Sequence, residues 1–185
     1  MRRFMVFVFA ALLAAPAVFS GELAGVQIPD QITVSGKTLQ LNGMGVRKKL
    51  WIKVYVAGFY LENRTSNPEE AINADEIKRI VMHFKTNKAT KKKMDSGWQE
   101  GFESNAPAQV KALQQKIDTF KGFFGNMHKG DVVELTILPG EGTKISLNGQ
   151  EKGTITGDDF SRALLKLWFG PKPPSEKLKA GLLGK

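Results

Sequence analysis

The most informative part of the chain reads Leu41-Asn42-Gly43-Met44-Gly45-Val46-Arg47-Lys48-Lys49-Leu50, followed by Trp51-Ile52-Lys53-Val54-Tyr55-Val56-Ala57-Gly58-Phe59-Tyr60-Leu61. Residues 51–61 are largely apolar on both parities, which predicts a central strand covered on both faces. Helices on one side and another layer on the other side are therefore expected. Gly43 and Gly45 allow either a tight turn or a close approach of another backbone segment.

Arg47 is the candidate binding residue of this segment. If the strand is regular back to Arg47, this residue shares a face with Trp51, Lys53, Tyr55 and Ala57. That face would present Arg47, Lys53 and Tyr55 around an apolar ring, which suits an anionic headgroup with a hydrophobic body. The alternative is a structural arginine in a surface salt bridge.

The rest of the chain predicts strands, then a helical pair, then a three-strand meander, then helices. A hairpin is expected over 31–42, a strand over 78–85, helices over 90–105 and from Pro107, strands between 131 and 155, and helices from 158 and over 176–183. Gly97 and Gly101 lie beside the apolar stripe of the first helix and suggest close packing there. This order is not the alternation of a doubly wound fold. It predicts an α+β fold: one antiparallel sheet with the helices on one face.

The N-terminus predicts export. Arg2 and Arg3 precede an uncharged apolar run that is too short for a comfortable membrane span, and small residues follow it. Residues 1–20 are therefore assigned as a secretory signal peptide, cleaved after Ala17 or Ser20, with an uncleaved anchor helix as the alternative. Residues 21–185 form the single domain, and the expected location is the periplasm.

Composition excludes several classes of protein. The chain has 185 residues, 42% of them hydrophobic and 24% charged, which is typical of a globular domain. It has no cysteine, which excludes disulfides, thiolate metal sites and a cysteine nucleophile. His83 and His128 lack metal-ligand spacing, so we expect no metal and no cofactor.

The charge is positive, but it does not favour nucleic acid as a partner. The 27 basic residues fall to 25 without Arg2 and Arg3, and against 18 acidic residues this leaves a charge of +7. The densest basic run, Lys88 to Lys93, has no interleaved aromatics or arginines, and it is typical of a solvated helix end or loop. A weak attraction to anionic lipid headgroups is compatible with it. Oligomeric state has no signal in the sequence.

The sequence resembles the chalcone isomerase family, and within it the bacterial chalcone isomerase-like branch. The matching block is Leu41-Asn42-Gly43-x-Gly45-x-Arg47 followed by Lys53 to Glu62. Weaker collinear matches follow it: Thr90-Lys91-Lys92-Lys93-Met94, a strand before Pro139-Gly140, Thr154-Ile155-x-Gly157-x-Asp159-Phe160, and Trp168-Phe169-Gly170-x-x-Pro173. The resemblance implies an open-faced β-sandwich: a large antiparallel sheet carrying a layer of helices, with a ligand cleft between them.

The resemblance also implies site positions. In the plant enzymes an arginine stabilises the phenolate oxygen of chalcone, and Arg47 matches it. A threonine on the next strand falls at Tyr55. The tyrosine and asparagine of the following helix fall near Met94 and Gly101, and the hydroxyl residue of the late helix falls near Leu167. Loss of that polar set leaves an arginine in an apolar cleft, as in the non-catalytic members that bind fatty acids.

Three functions follow from this interpretation. The first is an exported, non-catalytic protein that binds a small amphipathic, fatty-acid-like anion, with Arg47 as headgroup anchor and Tyr55, Lys53, Met94 and Leu167 as further ligand contacts. The second is an isomerase or intramolecular lyase that acts on a chalcone-like phenolic enone with Arg47 as the catalytic residue. The third is a helper protein whose surface matters more than its cleft.

Overall fold

A computed structural model describes residues 19–185, with side chains from residue 21 onward. Most of the predicted signal peptide lies outside the described residues. The strands are β1 (Phe19–Leu23), β2 (Val26–Pro29), β3 (Gln31–Val34), β4 (Lys37–Lys49), β5 (Ile52–Leu61), β6 (Lys78–Phe84), β7 (Val132–Leu138), β8 (Gly142–Leu147) and β9 (Gln150–Thr156). The helices are α1 (Pro68–Asn73), α2 (Lys91–Asn105), α3 (Pro107–Gly122), α4 (Asp158–Phe169) and α5 (Glu176–Leu182). No helix among residues 19–185 is long and apolar enough to cross a membrane.

Strands β3 to β9 form one seven-stranded antiparallel sheet in sequence order. The helices supply the main core on one face of it, where the interior side chains of α2, α3 and α4 meet those of the central strands. The predicted α+β fold with helices on one face is confirmed.

The second face of β5 is covered by the β1–β2 hairpin, a separate two-stranded sheet. Val56 and Tyr60 of β5 join a second apolar cluster that contains Ile28 of β2. Ile28 lies so close to Gly58 that a Cβ there would be 3.2 Å from its Cγ2 atom. The predicted covering of both faces of this strand is thus correct, and the layer opposite the helices is a β-hairpin.

The glycines of β4 serve a close approach and not a turn. A Cβ on Gly43 would lie 2.2 Å from the carbonyl oxygen of Gly181, and one on Gly45 would lie 3.0 Å from that of Leu178. Helix α5 therefore crosses this part of β4 almost backbone to backbone. Of the two expectations for these glycines, the close approach is the correct one.

The expected strand from Arg47 into residue 51 is wrong, because a turn interrupts it. β4 ends at Lys49 and β5 begins at Ile52, with Leu50 in the left-handed region at φ 55°. Arg47 therefore lies on the strand opposite Tyr55, and the two residues are directly paired across the ladder. Directly paired residues point to the same side of a sheet, so Arg47 and Tyr55 do share a face, but as cross-strand neighbours and not as members of one strand.

Candidate functional site

A cleft of about 610 Å³ opens between the turn end of the β4–β5 pair and the helical layer. Its strand wall includes Arg47, Ile52, Val54 and Tyr55. Its helix wall comprises Met94, Gly97, Trp98, Gly101 and Ser104 of α2 together with Leu167 and Trp168 of α4. The remaining lining residues are Lys48, Lys49, Leu50, Thr86, Lys88, Ala89, Lys93, Glu100, Lys172, Pro173 and Pro174. The volume is within the range of small-molecule sites, about 300–1,000 Å³.

Tyr55 forms the polar floor of the cleft. Its side chain is only 6% exposed, and its hydroxyl accepts a hydrogen bond from Nε1 of Trp168 at 3.1 Å. Burial raises the pKa of the Tyr55 phenol above its ordinary value, while the positive charge of Arg47 opposes the rise. The hydroxyl is therefore protonated at neutral pH and is available as a hydrogen-bond donor.

Arg47 lies half-buried beside this floor. Its Cζ atom is 6.0 Å from the centroid of the Tyr55 ring, at the outer limit of a cation–π contact. Among residues 21–185 it forms no ion pair with a carboxylate. The structural alternative, an arginine committed to a surface salt bridge, does not describe this side chain.

The charges that line the cleft are almost all positive. In addition to Arg47, five lysines line the cleft: Lys48, Lys49, Lys88, Lys93 and Lys172. One carboxylate, Glu100, is on the lining, and it forms no ion pair within the described chain. The electrostatic field at the mouth therefore attracts anions.

A β-bulge explains which residues of β5 reach the cleft. Arg47 pairs with Tyr55 and Lys48 pairs with Lys53, so Val54 is an extra residue on β5. Such a bulge directs two successive side chains to one face and shifts the alternation beyond it. Val54 and Tyr55 both pack on the helix side, and Ile52 joins them on the cleft wall. Lys53 is exposed and is not part of the lining, so the structure does not place it with the other predicted site residues.

The helix-side predictions converge on the cleft. Met94, Gly101 and Leu167 all line it. Gly101 also permits the close packing of α2 on α4, because a Cβ there would meet Cγ of Leu167 at 2.8 Å. Gly97 has no atom within 4 Å of such a Cβ, so the close packing expected at both glycines occurs at one of them only.

Two cleft residues, Trp98 and Trp168, have no signal in the sequence that marks them as lining a cavity. Neither is among the residues predicted to contact a ligand, and both line the cleft. Trp98 is 7% exposed, and its Nε1 is a buried donor without a hydrogen-bond partner in the described chain. A tryptophan in an amphipathic stripe has the same sequence signal whether it fills a core or borders a cavity, so no pattern could have separated the two.

Comparison with known proteins assigns the family. The model of the chalcone isomerase-like family matches residues 20–184. The chain belongs to the chalcone isomerase-like family. No curated protein matches it in sequence.

A solved structure of the same fold is that of a fatty-acid binding protein of Arabidopsis thaliana. It is 19% identical, with a TM-score of 0.67, and the match covers 86% of this chain and 92% of that chain. The likeness confirms the chalcone isomerase-like fold predicted from the residue 41–62 block.

Proposed function

We propose that this protein is an exported, non-catalytic member of the bacterial chalcone isomerase-like branch that binds a small amphipathic anion, such as a fatty acid. One observation carries the proposal: Arg47, without a carboxylate partner in the described chain, borders an apolar cleft of about 610 Å³. A carboxylate is the group that a guanidinium binds with the most favourable geometry. The fatty-acid binding of the structurally similar plant protein agrees with this ligand class.

The ligand body is accommodated by the apolar walls. Val54, Met94, Leu167 and Trp168 offer hydrocarbon and aromatic surface on opposite sides of the cleft. Burial of an alkyl chain there contributes about 0.8 kcal/mol per methylene. The headgroup lies at Arg47, where the neutral phenol of Tyr55 donates a second hydrogen bond.

The cleft favours binding over ring closure of a chalcone. The positions matched to the family's helix-borne polar residues hold Met94, Gly101 and Leu167, and all three border the cleft without a proton-transfer group. Arg47 and the Tyr55 hydroxyl remain to stabilise a phenolate, but the side chains that would orient the enone for cyclisation are missing from these three positions. The isomerase is the competing function, and its turnover is measurable.

Export is part of the proposal, and the first strand favours one of the two cleavage sites. Phe19 already pairs with Pro29 in the β1–β2 hairpin. Cleavage after Ala17 would leave this strand whole, whereas cleavage after Ser20 would remove its first two residues. N-terminal sequencing of the periplasmic protein tests this step, and an intact Met1 in a soluble cytoplasmic fraction would refute export.

The binding test compares Arg47→Ala with Arg47→Lys and a matched control. Arg64 is exposed, is not part of the cleft lining and has no ion pair among residues 21–185. Arg64→Ala therefore removes the same charge from a position outside the cleft. We expect Arg47→Ala to weaken oleate binding roughly 10- to 100-fold, since a hydrogen bond to a charged group contributes about 1.5–3 kcal/mol. Arg47→Lys should recover part of the loss, and Arg64→Ala should bind as the parent does.

Two outcomes would overturn the proposal. Equal oleate binding by Arg47→Ala and the parent would remove Arg47 as the anchor. Turnover of chalcone at about 1 per second or faster, above the buffer rate and lost in Arg47→Ala, would establish the isomerase instead. Native mass spectrometry of gently purified protein, with extraction of the bound molecule, identifies the natural ligand.

A further inference from the structure

The turn between β4 and β5 carries an unusual surface. Leu50 is 78% exposed and Trp51 is 82% exposed, and they are the two large hydrophobic side chains exposed among residues 21–185. They are adjacent at the end of a two-strand projection, with Leu50 in the left-handed region that turns the chain. We name residues 48–53 the β4–β5 tip.

Lysines surround these two apolar side chains. Lys48, Lys49 and Lys53 are exposed within the tip itself, and none forms an ion pair in the described part of the chain. The opposite rim of the cleft adds Lys88, Lys93 and Lys172, which are also exposed. The tip therefore presents a small apolar surface that is surrounded by positive charge.

We propose that the β4–β5 tip docks on the surface of an anionic lipid bilayer. Tryptophan is enriched at the membrane–water interface, where its ring lies among the headgroups and its N–H remains hydrated. Leucine beside it reaches the acyl boundary, and the surrounding lysines contact the anionic headgroups.

The composition of the tip distinguishes a bilayer from a protein partner. A stable protein interface buries about 1,000 Å² or more around a well-packed centre. Two apolar side chains on a hairpin turn offer much less, and a cluster of unpaired lysines at the centre of a protein interface is disfavoured. A bilayer requires neither a large flat area nor a complementary shape.

Docking would turn the cleft mouth toward the lipid. Lys48, Lys49 and Leu50 belong both to the tip and to the cleft lining. A ligand with an acyl chain could then pass between the leaflet and the cleft without crossing bulk water. The docking itself goes beyond the proposed ligand binding, because it depends on Trp51 and the lysines and not on an occupied cleft.

The test uses the tryptophan of the tip as its own reporter. The chain has three tryptophans, and Trp98 and Trp168 are 7% and 1% exposed, whereas Trp51 is in solvent. Vesicles of two parts phosphatidylcholine to one part phosphatidylglycerol should shift the emission to shorter wavelength, and brominated acyl chains should quench it. Trp51→Phe should lose both responses, which assigns them to the tip and not to another part of the chain.

Vesicle flotation then measures the affinity. Trp51→Ala should weaken binding about ten-fold, because its ring no longer leaves water. Vesicles of phosphatidylcholine alone should bind weakly, and high salt, at which the Debye length falls to about 3 Å, should weaken binding to the anionic vesicles. Lys111→Gln removes one exposed charge outside the cleft and should bind as the parent does.

The experiments distinguish a failure of the docking proposal from a failure of the ligand-binding proposal. Trp51 is not part of the cleft lining, so Trp51→Ala should retain oleate binding in solution while losing the vesicles. Unchanged vesicle binding in Trp51→Ala, or an emission spectrum that vesicles do not alter, would overturn the docking proposal. A dimer that dissociates in Trp51→Ala, without vesicle binding by the parent, would make the tip a self-association surface instead.

Discussion

The two ends of the β4–β5 pair have opposite packing. At the closed end, Gly43 and Gly45 bring α5 onto the backbone of β4, and Leu61 of β5 is fully buried. At the open end, the same two strands carry Arg47 and Tyr55 onto a cleft and finish in an exposed turn. The comparison shows that one strand pair can pack tightly at one end and border an open cleft at the other.

Each end also carries a cationic side chain, and the two differ in burial and in their hydrogen-bond partners. Lys78 pairs with Leu61 at the closed end, is 2% exposed, and donates a hydrogen bond to the carbonyl oxygen of Ile72 at 3.0 Å. It thereby binds a free carbonyl near the end of α1. Arg47 at the open end is half-buried and has no carboxylate partner within residues 21–185. The buried cation is held by a backbone carbonyl, whereas the half-buried one faces the cleft beside Tyr55.

The largest expected effect on stability comes from placing a side chain in the space that α5 occupies. Gly43→Ala places a Cβ 2.2 Å from a backbone oxygen that no rotamer change can move. We expect a loss of about 3 kcal/mol or more in the free energy of unfolding, measured by urea denaturation. Gly97→Ala is the control at the cleft, because nothing lies within 4 Å and alanine gains up to about 1 kcal/mol in a helix. A Gly43→Ala protein as stable as the parent would contradict the backbone contact.

The second effect concerns the buried cation. Burial lowers the pKa of Lys78 from 10.5 to about 8. Between these two pH values the unfolded state binds more protons than the folded state, so the stability should rise as the pH rises from 8 to 10.5. The rise attributable to this group is at most about 3 kcal/mol.

Lys78→Met isolates this contribution. The parent and the variant should differ in the pH dependence of their unfolding free energy above pH 8, and they should run parallel below it, where Lys78 is protonated in both states. Parallel curves across the whole range would show that the ammonium is not desolvated in the folded protein.

The smallest expected effect is on the stability of the open end. Arg47→Ala should change the free energy of unfolding by less than about 1 kcal/mol, as substitutions away from packed contacts usually do. Under the proposed function, the same variant should bind oleate roughly 10- to 100-fold more weakly. A thermal or urea midpoint that falls as far as that of Gly43→Ala would instead make Arg47 part of the scaffold.

The sequence predicted the closed end better than the open end. Alternation and turn residues were sufficient for the antiparallel sheet and the helical layer, because burial on a known face fixes strand register. The glycines of the block at residues 41–47 allowed a tight turn or a close approach, and the close approach is the one that occurs. These features depend on local residue patterns, which a single sequence carries.

The open end departed from its pattern for identifiable reasons. Leu50 occupies a left-handed conformation that glycine or asparagine normally takes, so no residue marked the turn. The bulge at Val54 has no sequence signature, and it displaced Lys53 from the site. The cleft itself depends on how α2 and α4 pack on the sheet, which no local pattern records.

The bulge also determines which single-residue deletion this strand pair can accommodate. Val54 has no partner on β4, where the flanking pairs Arg47 with Tyr55 and Lys48 with Lys53 are complete without it. On its other side, its carbonyl oxygen accepts a hydrogen bond from the backbone N–H of Lys85 at 2.9 Å. An in-frame loss of its codon would therefore leave the β4–β5 register intact, at the cost of the hydrogen bond to Lys85, and would remove one wall side chain from the cleft. Deletion of one residue shifts the register of most central strands. Here it would instead enlarge the cleft, so that a bulkier ligand would fit.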